Sequence, residues 1–198
     1  MLVYALAVIA GYLIGSIASA VLVCKLLGKD DPRSEGSGNP GATNVLRLHG
    51  KQAAILTLLG DALKGFLPVF LLSHFGVPAV IIALTGLTAF IGHLYPVFFQ
   101  FRGGKGVATF VGVLLGTYWL LGLCFIATWS LMALVFRYSS LSALVAAVLT
   151  PLYTFWLFPG LPFILVNSIM ALLLLWRHRS NIKNLLSGTE DKIGADKN

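Results

Sequence analysis

The sequence predicts an all-α polytopic membrane protein with about seven transmembrane helices, some short or partly re-entrant, its N-terminus outside and its C-terminus cytoplasmic. Three observations predict this. Of the 198 residues, 58% are hydrophobic and only 11% charged, against about 25% charged in a soluble domain. Residues 2–24, 65–101, 106–136 and 138–176 contain no Asp, Glu, Lys or Arg, and roughly 20 helical residues cross a hydrocarbon core. Lys and Arg gather in a few short segments, the pattern of positive-inside loops. Only helices or closed barrels span lipid, and these runs lack the in/out alternation of a barrel strand, so each reads as helix.

The first span is expected near 2–24. Ala18-Ser19-Ala20 fits a crude signal-peptide cleavage pattern. However, Met1 to Ala10 has no cationic side chain and the apolar run exceeds a typical signal core, so the span is expected to be retained. Ala7, Gly11, Gly15 and Ser19 recur at four-residue spacing, a stripe that permits close helix contact within or between subunits. After a polar loop at 25–52, a second span is expected near 53–72. It carries Asp61 and Lys64 at i, i+3, where they share one helix face. Ionisable residues at that depth are costly and serve either as a structural ion pair or in organising a site.

Ser73-His74-Phe75-Gly76-Val77-Pro78 signals a turn, and a third span follows near 78–97. Read as one helix, 106–136 would be about 46 Å long, too long for an ordinary crossing. A break near Thr117-Tyr118-Trp119 gives spans at 106–117 and 118–136. The loops at 25–52, 98–105 and 137–140 and the tail from 177 then share the cytoplasm. Of the 14 Lys and Arg residues, all except Lys64 fall there: Lys25, Lys29, Arg33, Arg47, Lys51, Arg102, Lys105, Arg137, Arg177, Arg179, Lys183, Lys192 and Lys197. Unbroken, the segment would put Arg137 and the basic tail outside. Gly112 and Gly116 repeat the small-residue spacing. Phe158-Pro159-Gly160-Leu161-Pro162 divides the last run into spans near 141–157 and 162–176. Tyr118-Trp119 and Phe155-Trp156 suit the outer interface, and Tyr95, Tyr138 and Trp176 the inner one. Cys24 and Cys124 are isolated among apolar residues, which is neither a disulfide framework nor zinc spacing; they read as small buried hydrophobes. One integral membrane domain, 1–198, accommodates all of this.

The polar segments carry the candidate chemistry. In Gly36-Ser37-Gly38-Asn39-Pro40-Gly41-Ala42-Thr43-Asn44, three glycines, one Ser, one Thr and two Asn fall within nine residues. Such a backbone can turn several N–H groups toward one oxyanion, and Arg47 adds a fork for phosphate. A flexible loop with a helix cap at Thr43 or Asn44 fits the same residues. The second segment runs from Gly92-His93-Leu94-Tyr95-Pro96 to Arg102-Gly103-Gly104-Lys105-Gly106. A Lys at a helix N-terminus suits phosphate, although a basic turn fits as well. It is not a Walker A loop: the position of the earlier Gly holds Phe99, and Gly106 stands where Ser or Thr should follow the Lys. The third is Arg177-His178-Arg179-Ser180-Asn181, which alone also reads as a basic stop-transfer cluster. Between them, the turn Arg137-Tyr138-Ser139-Ser140 offers a cation and hydroxyls.

Three segments in order, GSGNPGATNVLR, GHLYPVFFQFRGGKGVAT and RHRSNIKNLLSGTE, resemble the signature motifs of the bacterial acyl-phosphate:glycerol-3-phosphate acyltransferases. Asp61-x-x-Lys64-Gly65, the span number and the loop order also look like that family. The resemblance implies transfer of a fatty acyl group from acyl-phosphate to the sn-1 hydroxyl of glycerol 3-phosphate, giving 1-acylglycerol 3-phosphate and phosphate as the first step of phospholipid synthesis. It implies a bacterial inner-membrane enzyme whose active site faces the cytoplasm, a long-chain acyl-phosphate substrate and a soluble enzyme that makes it. No cofactor, metal or nucleic acid is expected.

Carried onto this sequence, Arg47, Lys105, His178 and Asn181 are expected to bind glycerol 3-phosphate, with Gly103, Gly104 and Gly106 shaping the loop. Ser37, Asn39 and the N–H groups around Gly36, Gly38, Thr43 and Asn44 are expected to hold the acyl-phosphate or its developing oxyanion. Arg137 and Ser140 would close the pocket. For the proton, His93 and His178 are candidate bases near neutral pH, and a substrate phosphate is the alternative acceptor. None of the four His has an Asp five residues later, so the His-x-x-x-x-Asp pattern of the other glycerolipid acyltransferase class is absent. A transporter of a phosphorylated solute would also use broken helices and glycine loops. The one-sided distribution of polar residues and the lack of a repeat argue against it. A structural protein built on GxxxG contacts would leave the three motifs unexplained.

Overall fold

The structure is a computed structural model that describes residues 1–194, and it contains helices and turns with no strand among the described residues. Lys197, counted above among the cytoplasmic cations, lies outside the described residues. The chain forms two compact units, one over Met1–Thr117 and one beginning at Tyr118.

The first unit contains α1 (Leu2–Gly15), α2 (Ser19–Leu26), α3 (Ala42–His49), α4 (Lys51–His74), α5 (Ala79–Leu94), a 3-10 turn at Val97–Phe99 and α6 (Val107–Thr117). The expected first span is broken. α1 and α2 meet at 47° across Ser16-Ile17-Ala18. Neither Pro nor Gly occupies the break. Instead, the Ser16 hydroxyl donates to the Tyr12 carbonyl at 2.8 Å, a local bond that bends helices, and the Ile17 carbonyl accepts from the Lys64 ammonium at 2.6 Å.

The small-residue stripes are contacts within the chain. A Cβ on Gly11 would strike Thr85 and Thr88 of α5, and one on Gly15 would overlap the Ala89 backbone. In the same way, Gly112 and Gly116 of α6 lie against the Ala62 and Phe66 carbonyls of α4, and Gly65 of α4 lies against Thr109 of α6. Without side chains at these points the backbones pack closely, which is how apolar helices associate when lipid is the solvent.

The second unit contains α7 (Trp119–Phe136), α8 (Ser139–Leu157), α9 (Leu161–Arg177) and α10 (Arg179–Leu186). α8 packs between α7 and α9. Two cross-helix bonds pin it: Thr128 with the Tyr153 hydroxyl at 2.8 Å, and Asn167 to Thr154 at 2.9 Å. α9 and α10 form a second bent pair, at 59°.

Four stretches are long and apolar enough to cross a membrane: α4, Ala79–Phe99, α7 and α8. The number rises to six if each bent pair counts as one span. α6 is apolar but has only 11 residues. The break expected near Thr117-Tyr118-Trp119 is present, because Tyr118 takes an extended conformation (φ −156°) between α6 and α7.

Candidate active site

In the first unit, two loops, the middle of α4 and the C-terminal end of α5 surround a small pocket whose walls include Pro40, Asp61, Lys64, His93, Gly103 and Gly104.

The first loop is folded by its own residues. Gly36 and Gly38 have φ of 62° and 65°, which places Ser37, exposed, between two left-handed turns. Asn44 is buried at 3% exposure, and its side chain is committed to the loop. Its Oδ1 accepts from the Ser37 N–H at 3.0 Å, while Nδ2 donates to the Pro32 carbonyl at 2.8 Å and the Glu35 carbonyl at 3.3 Å. A Cβ on Gly36 would strike that same Asn44 oxygen. The alternative of a cap at Thr43 or Asn44 is not what forms. Helix α3 starts earlier, with Gly41 as its N-cap and no side-chain cap bond. Asn39 is partly buried beside Gly41, and Thr43 and Arg47 are exposed on α3.

Arg33 fastens this loop to the next. It grips Asp31 through Nε at 3.0 Å and Nη2 at 2.7 Å, donates through Nη1 to the Phe99 carbonyl at 3.3 Å, and lies over the Phe99 ring at 5.8 Å. The side-chain bond from Arg33 holds the Asp31 carboxyl below its usual value against the opposing effect of burial, and the same bond raises Arg33.

The second loop leaves α5 through Tyr95 and Pro96. Gln100 and Phe101 are both left-handed (φ 57° and 59°), a conformation that costs energy in non-glycine residues and clusters at functional sites. Gly103 and Gly104 are buried and Lys105 is partly buried. Gly106 has φ 92° and opens α6, its carbonyl accepting from the Phe110 N–H at 2.8 Å. The Gly-Gly-Lys-Gly run therefore does enter a helix N-terminus.

Beneath the loops, Asp61 and Lys64 form an ion pair at 2.8 Å, both nearly inaccessible. The Nδ1 atom of His93, on α5, lies 3.5 Å from the same Asp61 oxygen.

The second unit holds the remaining candidates. Arg137 is left-handed (φ 61°) between α7 and α8. Its main chain and guanidinium bind the returning tail at Ile193, by N–H to the Arg137 carbonyl at 2.6 Å and by Nη2 to the Ile193 carbonyl at 3.0 Å. Ser140 and Asn181 converge on one oxygen of Glu190, donating at 2.6 and 2.7 Å. His178 is buried at the α9–α10 bend, its Nδ1 2.9 Å from the Leu174 carbonyl. A carbonyl only accepts, so Nδ1 carries the proton and Nε2 is the basic nitrogen of the neutral ring. Glu190 was not singled out in the sequence; the quoted GTE run was its only trace. Among the described residues, no group of three or more His, Cys, Asp or Glu is placed to hold a metal ion.

The family described as Glycerol-3-phosphate acyltransferase matches residues 5–188. A glycerol-3-phosphate acyltransferase of Methylococcus capsulatus is 57% identical over 185 residues, covering 93% of each chain. One from Burkholderia cenocepacia is 55% identical over 195 residues, covering 97% of this chain and 92% of its own. The crystal structure of PlsY (YgiH), an integral membrane glycerol 3-phosphate acyltransferase, is similar in its glycerol 3-phosphate form with a TM-score of 0.91, at 38% identity over 96% of both chains. In its lysophosphatidic acid form the TM-score is 0.90. With a match that runs through all three polar motifs, this chain belongs to the glycerol-3-phosphate acyltransferase family.

Proposed function

We propose that this acyltransferase moves a fatty acyl group from acyl-phosphate to the sn-1 hydroxyl of glycerol 3-phosphate. The hydroxyl oxygen bonds to the acyl carbon, the C–O bond to phosphate breaks, and the hydroxyl proton leaves with the inorganic phosphate or through a base. The products are 1-acylglycerol 3-phosphate and phosphate. The observation that carries the reading is the glycine-lined second loop, which brings Lys105 to the N-terminus of α6 beside the first loop and its pocket. Such a placement suits a phosphate ester, and this family acts on one.

Roles follow as proposals. Arg47 and Lys105, with His178 and Asn181, bind glycerol 3-phosphate. Ser37, Asn39 and the glycine N–H groups hold the acyl-phosphate or its oxyanion. Thr43 contributes from the first turn of α3, and Asn44 acts through the loop that it braces. Arg137 and Ser140 are further candidates for substrate binding. Of the two histidines expected as bases, His178 offers Nε2 as acceptor, while His93, whose Nε2 packs against Gly104, is assigned to orientation; the leaving phosphate is the other candidate base. The enzyme works in the bacterial inner membrane with these residues facing the cytoplasm, and is fed by a soluble acyl-phosphate-producing enzyme. Transport of a phosphorylated solute has no support in the family match.

The test is a detergent-purified assay in which glycerol 3-phosphate triggers phosphate release from a long-chain acyl-phosphate. Lys105→Ala is expected to lower kcat/KM by about 100-fold or more, the range for losing a charged donor at a reacting group, while the protein stays folded and membrane-inserted. A reaction supported by acyl-CoA and not by acyl-phosphate would overturn the donor assignment.

A further inference from the structure

Asp61, Lys64 and His93 line one pocket and lie close together. Lys64 reaches in one direction to the Ile17 carbonyl at the α1–α2 break (2.6 Å) and in the other to Asp61 (2.8 Å). Asp61 faces His93 Nδ1 (3.5 Å). The Asp61 carbonyl accepts from the Thr109 hydroxyl of α6 at 3.0 Å. His93 then supports the second loop twice. Its carbonyl accepts from the Gly104 N–H at 3.2 Å, and its ring occupies the space a Cβ on Gly104 would need, nearest at Nε2. Gly103 presses on the His93 and Leu94 carbonyls, leaving no room for a side chain either. The residue after this pair is Lys105.

We propose that Asp61, Lys64 and His93 are a positioning triad that fixes the Gly103-Gly104 backbone, and through it Lys105, against the broken first helix. The proposal rests on the acyltransferase reading for its kinetic consequence but not for its structural one. A lone ion pair stabilising α4 would need no contact with the loop. Here His93 is the shared member, with one ring nitrogen toward the pair and the other toward the loop. Its function is to orient, and it need not touch substrate.

The test uses the full-length protein in detergent as wild type, Asp61→Asn/Lys64→Met, His93→Ala and His93→Gln. The double variant removes both charges together, because removing one would leave the other buried and unpaired. Two quantities are read: amide exchange across 96–106, and kcat and KM for glycerol 3-phosphate. In the double variant and in His93→Ala, exchange across the loop is expected to rise about tenfold with residues 139–157 unchanged, and KM to rise about tenfold with kcat within about threefold, as expected when a packing contact that orients the loop is lost. His93→Gln keeps a polar group at the Nε2 position and is expected to recover most of the KM. Loop exchange that stays at wild-type levels, or an unchanged KM in an active enzyme, would overturn the triad. So would exchange rising throughout the chain in every variant, since that marks a purely stabilising element. If wild type makes no product, the acyltransferase reading fails while loop exchange still decides the triad.

Discussion

Asn44 and Glu190 each bind groups that sequence reasoning assigned to substrate. Asn44 spends its amide on the Pro32 and Glu35 carbonyls and its oxygen on the Ser37 N–H. Glu190 takes the hydrogens of Ser140 and Asn181 on a single oxygen. Glu190→Ala leaves two donors without their acceptor, at a cost of about 1–3 kcal/mol. The expected result is a fall in kcat/KM of about tenfold or more, with Glu190→Gln milder because its amide oxygen still accepts. At the loop surface, the Asp31–Arg33 pair gives a pH signature. Because Asp31 titrates below its usual 3.8 in the folded chain, its contribution is present above that value and is lost as pH falls through the lowered one. Wild type and Arg33→Met should therefore differ in unfolding midpoint at neutral pH and converge in acid. The carboxyl is 37% exposed, so the difference is small. Residue spacing made part of this legible: Asp61 and Lys64 pair as their i, i+3 separation required. His93 as the third member was not legible, because it comes from a different helix and only the packing of α4 on α5 brings it near. Glu190 was hidden for a similar reason, since a tail that folds back leaves no periodic trace.

At the level of helices, long uncharged runs and turn signals placed α4, α5, α8 and α9 near their observed positions, and the division at Tyr118 followed from charge counting. The break in the first helix was not legible. Ser16-Ile17-Ala18 contains neither Pro nor Gly, and one of the two side-chain bonds at the bend comes from a cation 47 residues later in the chain. The glycine spacing showed that close contact would occur but not which helix would be met. Gly112 touches the Ala62 carbonyl, so Gly112→Ile would force α6 away from α4. Overpacking of this kind costs about 1–3 kcal/mol, and a lowered thermal midpoint in detergent is the expected reading. An equivalent change at Gly76 would meet nothing within 4 Å, and its cost would be confined to the left-handed backbone there (φ 65°).

For the whole molecule, family membership fixes the kind of enzyme, while the direction in which it threads the membrane is a proposal drawn from its cations. The proposed orientation puts Gly76 outside and Ser187 in the cytoplasm. In a background without Cys24 and Cys124, Gly76→Cys in intact cells should react with an impermeant thiol reagent, and Ser187→Cys only after lysis. The reverse pattern would invert the topology and move the phosphate-binding loops to the wrong side for a cytoplasmic substrate.

The kink at Ser16–Ala18 also bears on how such a protein is made. α4 delivers an aspartate and a lysine into the bilayer near the middle of a 24-residue helix, and insertion scales charge such residues about 2.5–3.5 kcal/mol each at a helix centre. The pair offsets part of that cost internally, and the Ile17 carbonyl receives another of the ammonium's hydrogens. Ribosomes deliver chains from the N-terminus, so this acceptor enters the membrane before the lysine that needs it. The bent first helix is a berth prepared ahead of its occupant, and biogenesis in this order spares α4 from waiting in lipid with its cation unmet.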